Sequence, residues 1–307
     1  MFKTGFRSGC RSAFLVGWLV LAGLAGDALA APETFNTALP VAKGEFLFRE
    51  QFIYKKASGD PSSADREVEV LGGISVLGYG ATPDLAVFGV LPYLDKELDV
   101  TTPGGQRATR STSGIGDARL FGRYTIYKNN FPGGNFRIAP FAGIELPTGD
   151  NTDSDSLGTL PATLQLGSGS WDSFGGVVAT YQTLDYQIDA QVSYKVNTEA
   201  DNFEFGDDVR FDASVQYRLW PRELTGGVPG FLYGVLESNL IYQGKSEIGG
   251  ANDPNSGGTT LFIAPGLQYV TKRWILEAIV QLPAFQDLGG TALEDDFTVR
   301  AGFRFNF

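Results

Sequence analysis

Apolar and polar residues alternate strictly along several stretches in the second half of the chain. From Tyr186 onward, Ile188, Ala190, Val192, Tyr194 and Val196 are apolar, while Gln187, Asp189, Gln191, Ser193, Lys195 and Asn197 are polar. Val209, Phe211, Ala213, Val215, Tyr217 and Leu219 alternate in the same way with Arg210, Asp212, Ser214, Gln216 and Arg218. The last run sets Phe297, Val299, Ala301, Phe303, Phe305 and Phe307 against Asp296, Thr298, Arg300, Arg304 and Asn306. A period of two with one apolar face predicts β-strands lying between an apolar medium and water.

Walking the chain gives twelve such segments, near 44–56, 66–80, 84–97, 116–128, 134–148, 171–183, 186–198, 208–220, 230–244, 258–271, 273–285 and 296–307. A soluble sandwich or lipocalin also has one apolar face, but its strands run to about 5–6 residues. These are longer, and a tilted strand crosses a bilayer in roughly 9–11 residues. Connections after even-numbered segments are mostly short, as at Ala81-Thr82-Pro83, Leu184-Asp185 and Lys272; those after odd-numbered segments are longer and polar. Aromatic residues collect at segment ends: Tyr79, Tyr127, Tyr186, Trp220, Trp274 and Phe307 at one side, Tyr54, Tyr93, Trp171, Tyr242 and Phe297 at the other. The expected fold is all-β: an antiparallel transmembrane β-barrel of twelve strands, with short periplasmic turns, long external loops and both termini periplasmic. The first three segments alternate less cleanly, and Glu50 falls on an outward face.

The N-terminus places this barrel in a cell envelope. Lys3, Arg7 and Arg11 precede an apolar stretch from Ala13 to Gly26, and Ala28-Leu29-Ala30 is a small-x-small cleavage site. Residues 1–30 read as a cleaved secretory signal peptide and residues 31–307 as one barrel domain. The sole cysteine, Cys10, lies before the apolar run and not at the cleavage site, which leaves the exported chain without disulfides. Glycine is abundant at 40 of 307 residues, against a usual share of about 7%, which suits closely packed strands and turns. Histidine is absent, which removes Ser-His hydrolases and His-ligated metal sites. No enzyme, catalytic residue or cofactor is expected. Asp150 to Asp155 superficially resembles a calcium loop, but it lacks the sixth-position glycine and has Pro161 in place of the twelfth-position glutamate, so no metal site is expected. Gly114 to Arg119 completes no dinucleotide fingerprint, and Gly226 to Gly230 reads as a turn.

Four segments resemble the outer-membrane β-barrel family of meta-pathway phenol-degradation transporters. They are Gly114-Ile115-Gly116-Asp117, Gly143-Ile144-Glu145-Leu146-Pro147-Thr148-Gly149-Asp150, Leu164-Gln165-Leu166-Gly167-Ser168-Gly169-Ser170-Trp171 and Ala264-Pro265-Gly266-Leu267-Gln268-Tyr269. The terminal Phe303, Phe305 and Phe307 resemble the C-terminal insertion signal of bacterial outer-membrane barrels. The family resemblance implies an outer-membrane channel in a Gram-negative bacterium that passively admits small molecules, aromatic or other apolar compounds among them. The alternative is a closed barrel that scaffolds an envelope complex. Expected partners are outer-membrane lipid and lipopolysaccharide, the barrel-assembly machinery during insertion, and a small-molecule solute. The acidic balance argues against nucleic acid.

With the apolar faces outward, the lumen receives Arg119, Arg123, Arg137, Glu145, Asp189, Lys195, Arg210, Asp212, Arg218, Glu237, Glu277, Arg300 and Arg304. Arg119, Arg123 and Arg137 are expected to form a basic patch, either as a selective pore wall or within a salt-bridged plug. The expected external loops carry 19 acids and 4 bases, so the acidic excess of the exported chain sits on its rim. Exposed charges act over about a Debye length, roughly 10 Å at 0.1 M salt and 3 Å at 1 M. Reversal potentials across a salt gradient should therefore show cation preference in dilute salt that fades in concentrated salt; anion preference in dilute salt would assign control to the lumenal arginines instead.

Overall fold

In the computed structural model, residues 30–224 and 230–307 are described. The signal-peptide reading, apart from Ala30, and all of the Gly226–Gly230 turn but Gly230 lie outside them. Among the described residues every regular element is a strand. Twelve of these close into one antiparallel barrel: β1 (Phe46–Gly59), β2 (Glu67–Gly80), β3 (Leu85–Thr101), β4, β5 (Gly134–Leu146), β6 (Asp172–Thr183), β7 (Tyr186–Val196), β8 (Asp208–Trp220), β9 (Phe231–Gln243), β10 (Gly258–Val270), β11 (Trp274–Leu288) and β12 (Glu294–Asn306). Strand β4 is one path in three pieces, Arg107–Ile115, Ala118–Tyr124 and Tyr127–Phe131, broken at Gly116-Asp117 and Thr125-Ile126. Each strand pairs with the next, and β12 pairs with β1 from Leu47↔Asn306 to Gly59↔Glu294. Closure removes both sheet edges, so the ladder can satisfy its backbone groups where no water is available.

The burial pattern is the reverse of a soluble protein's. Gln187, Asp189, Gln216, Glu237, Asn239 and Gln268 are fully buried inside the barrel, whereas Phe52, Leu71, Leu236 and Leu267 are more than half exposed on its outside. The exposed apolar side chains form the face presented to lipid, at about 25 cal/mol per Å² of apolar surface removed from water. The aromatic ends of the strands lie on that face: Tyr79, Tyr127, Tyr186 and Trp220 at the end with short turns, Tyr93, Trp171 and Tyr242 at the end with long loops.

Several boundaries differ from expectation. Residues 95–113 were expected as a loop, but β3 continues to Thr101 and pairs with Arg107–Ile115 around a tight turn. Register at the first strands is settled by the pairs Glu50↔Ser75 and Ser75↔Leu91, and the Ser75 hydroxyl donates to the outward Glu50 carboxylate at 2.5 Å. Alternation is weak here because both faces are apolar. Inward-facing Val68, Val70, Ile74 and Val76 on β2 and Phe88 and Val90 on β3 look in sequence like a continuous apolar run.

At the seam, the Phe46 and Phe307 backbones exchange hydrogen bonds of 2.6 and 2.9 Å and their rings stack at 5.7 Å. Phe48 meets Phe303 at 6.1 Å and Phe303 meets Phe305 at 5.6 Å, so the three terminal phenylalanines lie along the closing strand. Phe307→Asp places a charge on this lipid-facing seam and should lower the yield of the heat-modifiable folded form on gels, while Phe307→Leu should not.

Candidate functional site

The segment before β1 does not trail outside the barrel. Residues 30–41 run across the lumen as a plug fixed at three places on its wall. Ala30 packs with Tyr233, Val270 and Ile275; Ala38 with Ala139, Phe141 and Val178; Val41 with Ala86 and Phe88. Between these points the backbone, which bends at residues 33–35 and 38, has no ladder partner, so lumenal side chains supply its hydrogen bonds. Gln268 clasps Ala31, accepting from its N–H at 3.2 Å and donating to its carbonyl at 3.0 Å. The Glu237 carboxylate accepts the N–H groups of Glu33 at 2.7 Å and Thr34 at 3.1 Å. Arg49 and Gln51 donate to the Glu33 carbonyl at 2.7 and 3.0 Å, Thr180 accepts from the Ala38 N–H at 2.8 Å, and Arg123 donates to the Leu39 carbonyl at 2.6 Å. The Glu33 carboxylate is itself buried with no hydrogen-bond partner.

Against this plug lies a cavity of about 450 Å³. One wall is apolar and comes mainly from β2–β6: Val76, Val90, Phe121 and Phe174 keep part of their surface open, with Phe88 and Phe141 behind them. Phe88 and Phe121 stack at 4.8 Å, and Phe141 and Phe174 meet Phe121 edge-on at 6.3 and 6.0 Å. Basic side chains come mostly from β7, β8, β12 and β1, while Arg119 and Arg123 flank Phe121 on β4. In all, seven basic and three acidic side chains line the cavity.

The expected lumenal residues divide among distinct surroundings. Glu145 binds Lys195 at 2.6 Å and also pairs with Arg119, while Asp172 lies 3.2 Å from Lys195. Glu277 pairs with Arg49 at 2.6 Å. Asp189 accepts from Thr180 and Gln187, and Asp212 from Gln191 and Asn239, with Arg210 at 3.9 Å. Arg300 donates to Gln281 and Gln51 at 2.8 and 3.0 Å. Arg304 is buried beside the cavity. Arg218 turns to Asp185 and the Pro221 carbonyl at the turn end. Arg119, Arg123 and Arg137 do not form one patch. The pairs Arg119↔Glu145 and Arg123↔Phe141 put them four residues apart, with Arg137 four further on, so each step is about 13 Å along the strands. Arg137 donates to Asn130 at 3.2 Å, next to the β4–β5 turn.

Sequence reasoning passed over the plug, Arg49 and the lumenal phenylalanines. The plug's one signal in the sequence was the length of the stretch before β1. The phenylalanines were hidden because aromatic residues had been sought at strand ends.

The long loop after β5 folds inward over the mouth. Leu160 and Leu164 are buried with Leu98, against Val68 and Val100, and Lys96 donates to the Gln165 carbonyl at 2.5 Å. The connection is therefore not a wholly polar external loop, since its apolar residues pack into the barrel mouth. Three of the four family-like segments meet at its base. The Asp117 carboxylate, at the bulge in β4, accepts from the Gly149 N–H at 2.9 Å and the Ser168 N–H at 2.6 Å, while Thr148 donates to the Gly116 carbonyl at 2.9 Å. Gly167 must lack a side chain, since a Cβ there would sit 2.5 Å from Asp117 and 2.6 Å from the Gly149 carbonyl oxygen. The fourth segment supplies Gln268, which clasps the plug.

A model of the family described as "Putative MetA-pathway of phenol degradation" matches residues 54–282. The chain belongs to this family. It is similar in fold to an outer membrane channel from Pseudomonas putida F1, at 15% identity and a TM-score of 0.69, over 91% of this chain and 100% of that one. The transport unit of the autotransporter AIDA-I from Escherichia coli aligns at 11% identity and a TM-score of 0.49, covering 90% of this chain and 95% of that one. The beta domain of the Bordetella autotransporter BrkA aligns at 12% identity and 0.47, over 86% and 100% of the two chains. No curated protein sequence matches the chain. The closed twelve-stranded architecture is that of a Gram-negative outer-membrane barrel.

Asp117→Ala removes the acceptor that ties both ends of the inward loop. It should speed proteolysis within residues 149–170 in the folded barrel without changing the barrel's heat-modifiable mobility; unchanged cleavage would mean the apolar contacts of Leu160 and Leu164 hold the loop alone.

Proposed function

We propose that the chain is an outer-membrane channel for passive uptake of small molecules, with its loops outside the cell and both termini in the periplasm. In this reading it passes solutes and catalyses no reaction, in keeping with a sequence that has no histidine. The observation that carries the reading is the lumenal cavity of about 450 Å³, within the range of small-molecule sites, lined along one side by a segment that belongs to no strand. The plug is anchored by small side chains and by hydrogen bonds, which contribute a net ~0.5–1.5 kcal/mol each where both partners are neutral and ~1.5–3 kcal/mol where Glu237, Arg49 or Arg123 takes part. It also buries an unpartnered carboxylate, which costs stability. Such a segment can be displaced without opening the barrel ladder. Lipid and lipopolysaccharide surround the barrel in this reading, and the assembly machinery inserts it.

The plug also favours the second reading, a closed barrel that scaffolds an envelope complex. Single-channel recordings in planar bilayers separate the two. A variant lacking residues 31–41 should conduct steadily and with several-fold larger unitary current than the intact exported chain, which should open intermittently. If neither conducts while both show folded mobility on gels, the scaffold reading holds.

A further inference from the structure

The cavity is two-faced, and its basic face is incompletely neutralised. Glu145 and Glu277 lie against Arg119, Lys195 and Arg49, so those cations are already paired. Arg300 instead spends its hydrogen bonds on the uncharged amides of Gln281 and Gln51. Its electrostatic neighbours are the like-charged Arg210 and Arg49 together with the single carboxylate of Glu237. Arg210 has a buried Nε with no hydrogen-bond partner; Asp212 stands off at 3.9 Å while accepting from Gln191 and Asn239, and Asp208, shared with Lys195 and Arg119, is its other acidic neighbour. Two guanidinium groups thus face the cavity with donor capacity in hand. Across from the basic strands, Val76, Val90, Phe121 and Phe174 offer an apolar surface.

We propose that this cavity binds an amphipathic organic anion, a one- or two-ring aryl carboxylate whose ring lies on the Phe121–Phe174 wall and whose carboxylate takes hydrogen bonds from Arg210 and Arg300. The proposal rests on the channel reading only for how the ligand arrives. An inorganic anion would leave the apolar wall wet, and a neutral aromatic would leave the positive charge of the two guanidinium groups without a counter-charge in the cavity. Guanidinium–carboxylate hydrogen bonds are among the strong ones, and partial burial protects them from screening. The acidic loops retard an approaching anion in dilute salt, but at physiological ionic strength exposed charges act over only about 8 Å.

The test is equilibrium binding to the folded exported chain in detergent micelles at physiological ionic strength, read by ligand-observed NMR with micelles alone as the blank. The probes are benzoate, benzyl alcohol, which keeps the ring without the charge, and acetate, which keeps the charge without the ring. Benzoate should bind at least about tenfold more tightly than either, and Arg210→Gln with Arg300→Gln should erase its advantage over benzyl alcohol. Equal binding of benzyl alcohol or acetate, or unchanged benzoate binding in the double variant, overturns the proposal. Should the double variant fail to fold, the ranking of the three probes on the unaltered chain decides by itself. The bilayer recordings are independent of this. The expected ranking in a barrel that never conducts would sink only the channel reading, and conduction without it only this one.

Discussion

The structure follows from the absence of water in a bilayer core. A strand there cannot leave backbone groups unpaired, because each orphaned group costs several kcal/mol, so the sheet must close on itself. Closure with alternating side chains then sets what each face must be. The outward residues of β7 and β8 meet lipid and are apolar, while Gln187, Asp189, Asp212, Ser214 and Gln216 turn inward, where among the described residues the first three find hydrogen-bond partners and the side chains of Ser214 and Gln216 do not. The inside of the barrel is consequently a polar core, and much of its organisation consists of finding partners for those groups.

That requirement explains the plug. A segment with no ladder partner brings its own unpaired N–H and C=O groups, and the lumenal wall brings unpaired side chains. Glu237, Gln268, Thr180, Arg49, Gln51 and Arg123 meet both needs at once. The segment is held by these hydrogen bonds together with the buried apolar side chains of Ala30, Ala38, Leu39 and Val41. The part of the wall formed by β2 and β3 is apolar instead, with valines, isoleucine and phenylalanine facing inward, and with Phe121 and Phe174 it gives the cavity its apolar side.

The family-like segments take on a physical meaning only in this context. Gly114–Asp117, Gly143–Asp150 and Leu164–Trp171 are far apart in the chain, yet Asp117, Thr148, Gly149, Gly167 and Ser168 form one hydrogen-bonded knot beneath the inward loop. The glycines serve close backbone approach, and the aspartate serves two N–H groups that the bulge in β4 leaves facing it. These residues shape the mouth of the lumen and are not its chemistry.

The sequence by itself determined the barrel: period-two alternation, strand length, the alternation of short and long connections, and aromatic strand ends are local consequences of one face in lipid and the other in water. It also determined which charged residues of β7, β8 and β12 turn inward, because there the two faces differ in polarity. Where both faces are apolar, as in β2 and β3, alternation vanishes and the lumenal wall cannot be told from the lipid-facing one. The course of residues 30–41, the inward fold of the long loop and the pairing of each lumenal charge were decided only by tertiary structure. A segment with no repeating contact has no period to read, and an arginine's partner depends on which strand the closed barrel places opposite it.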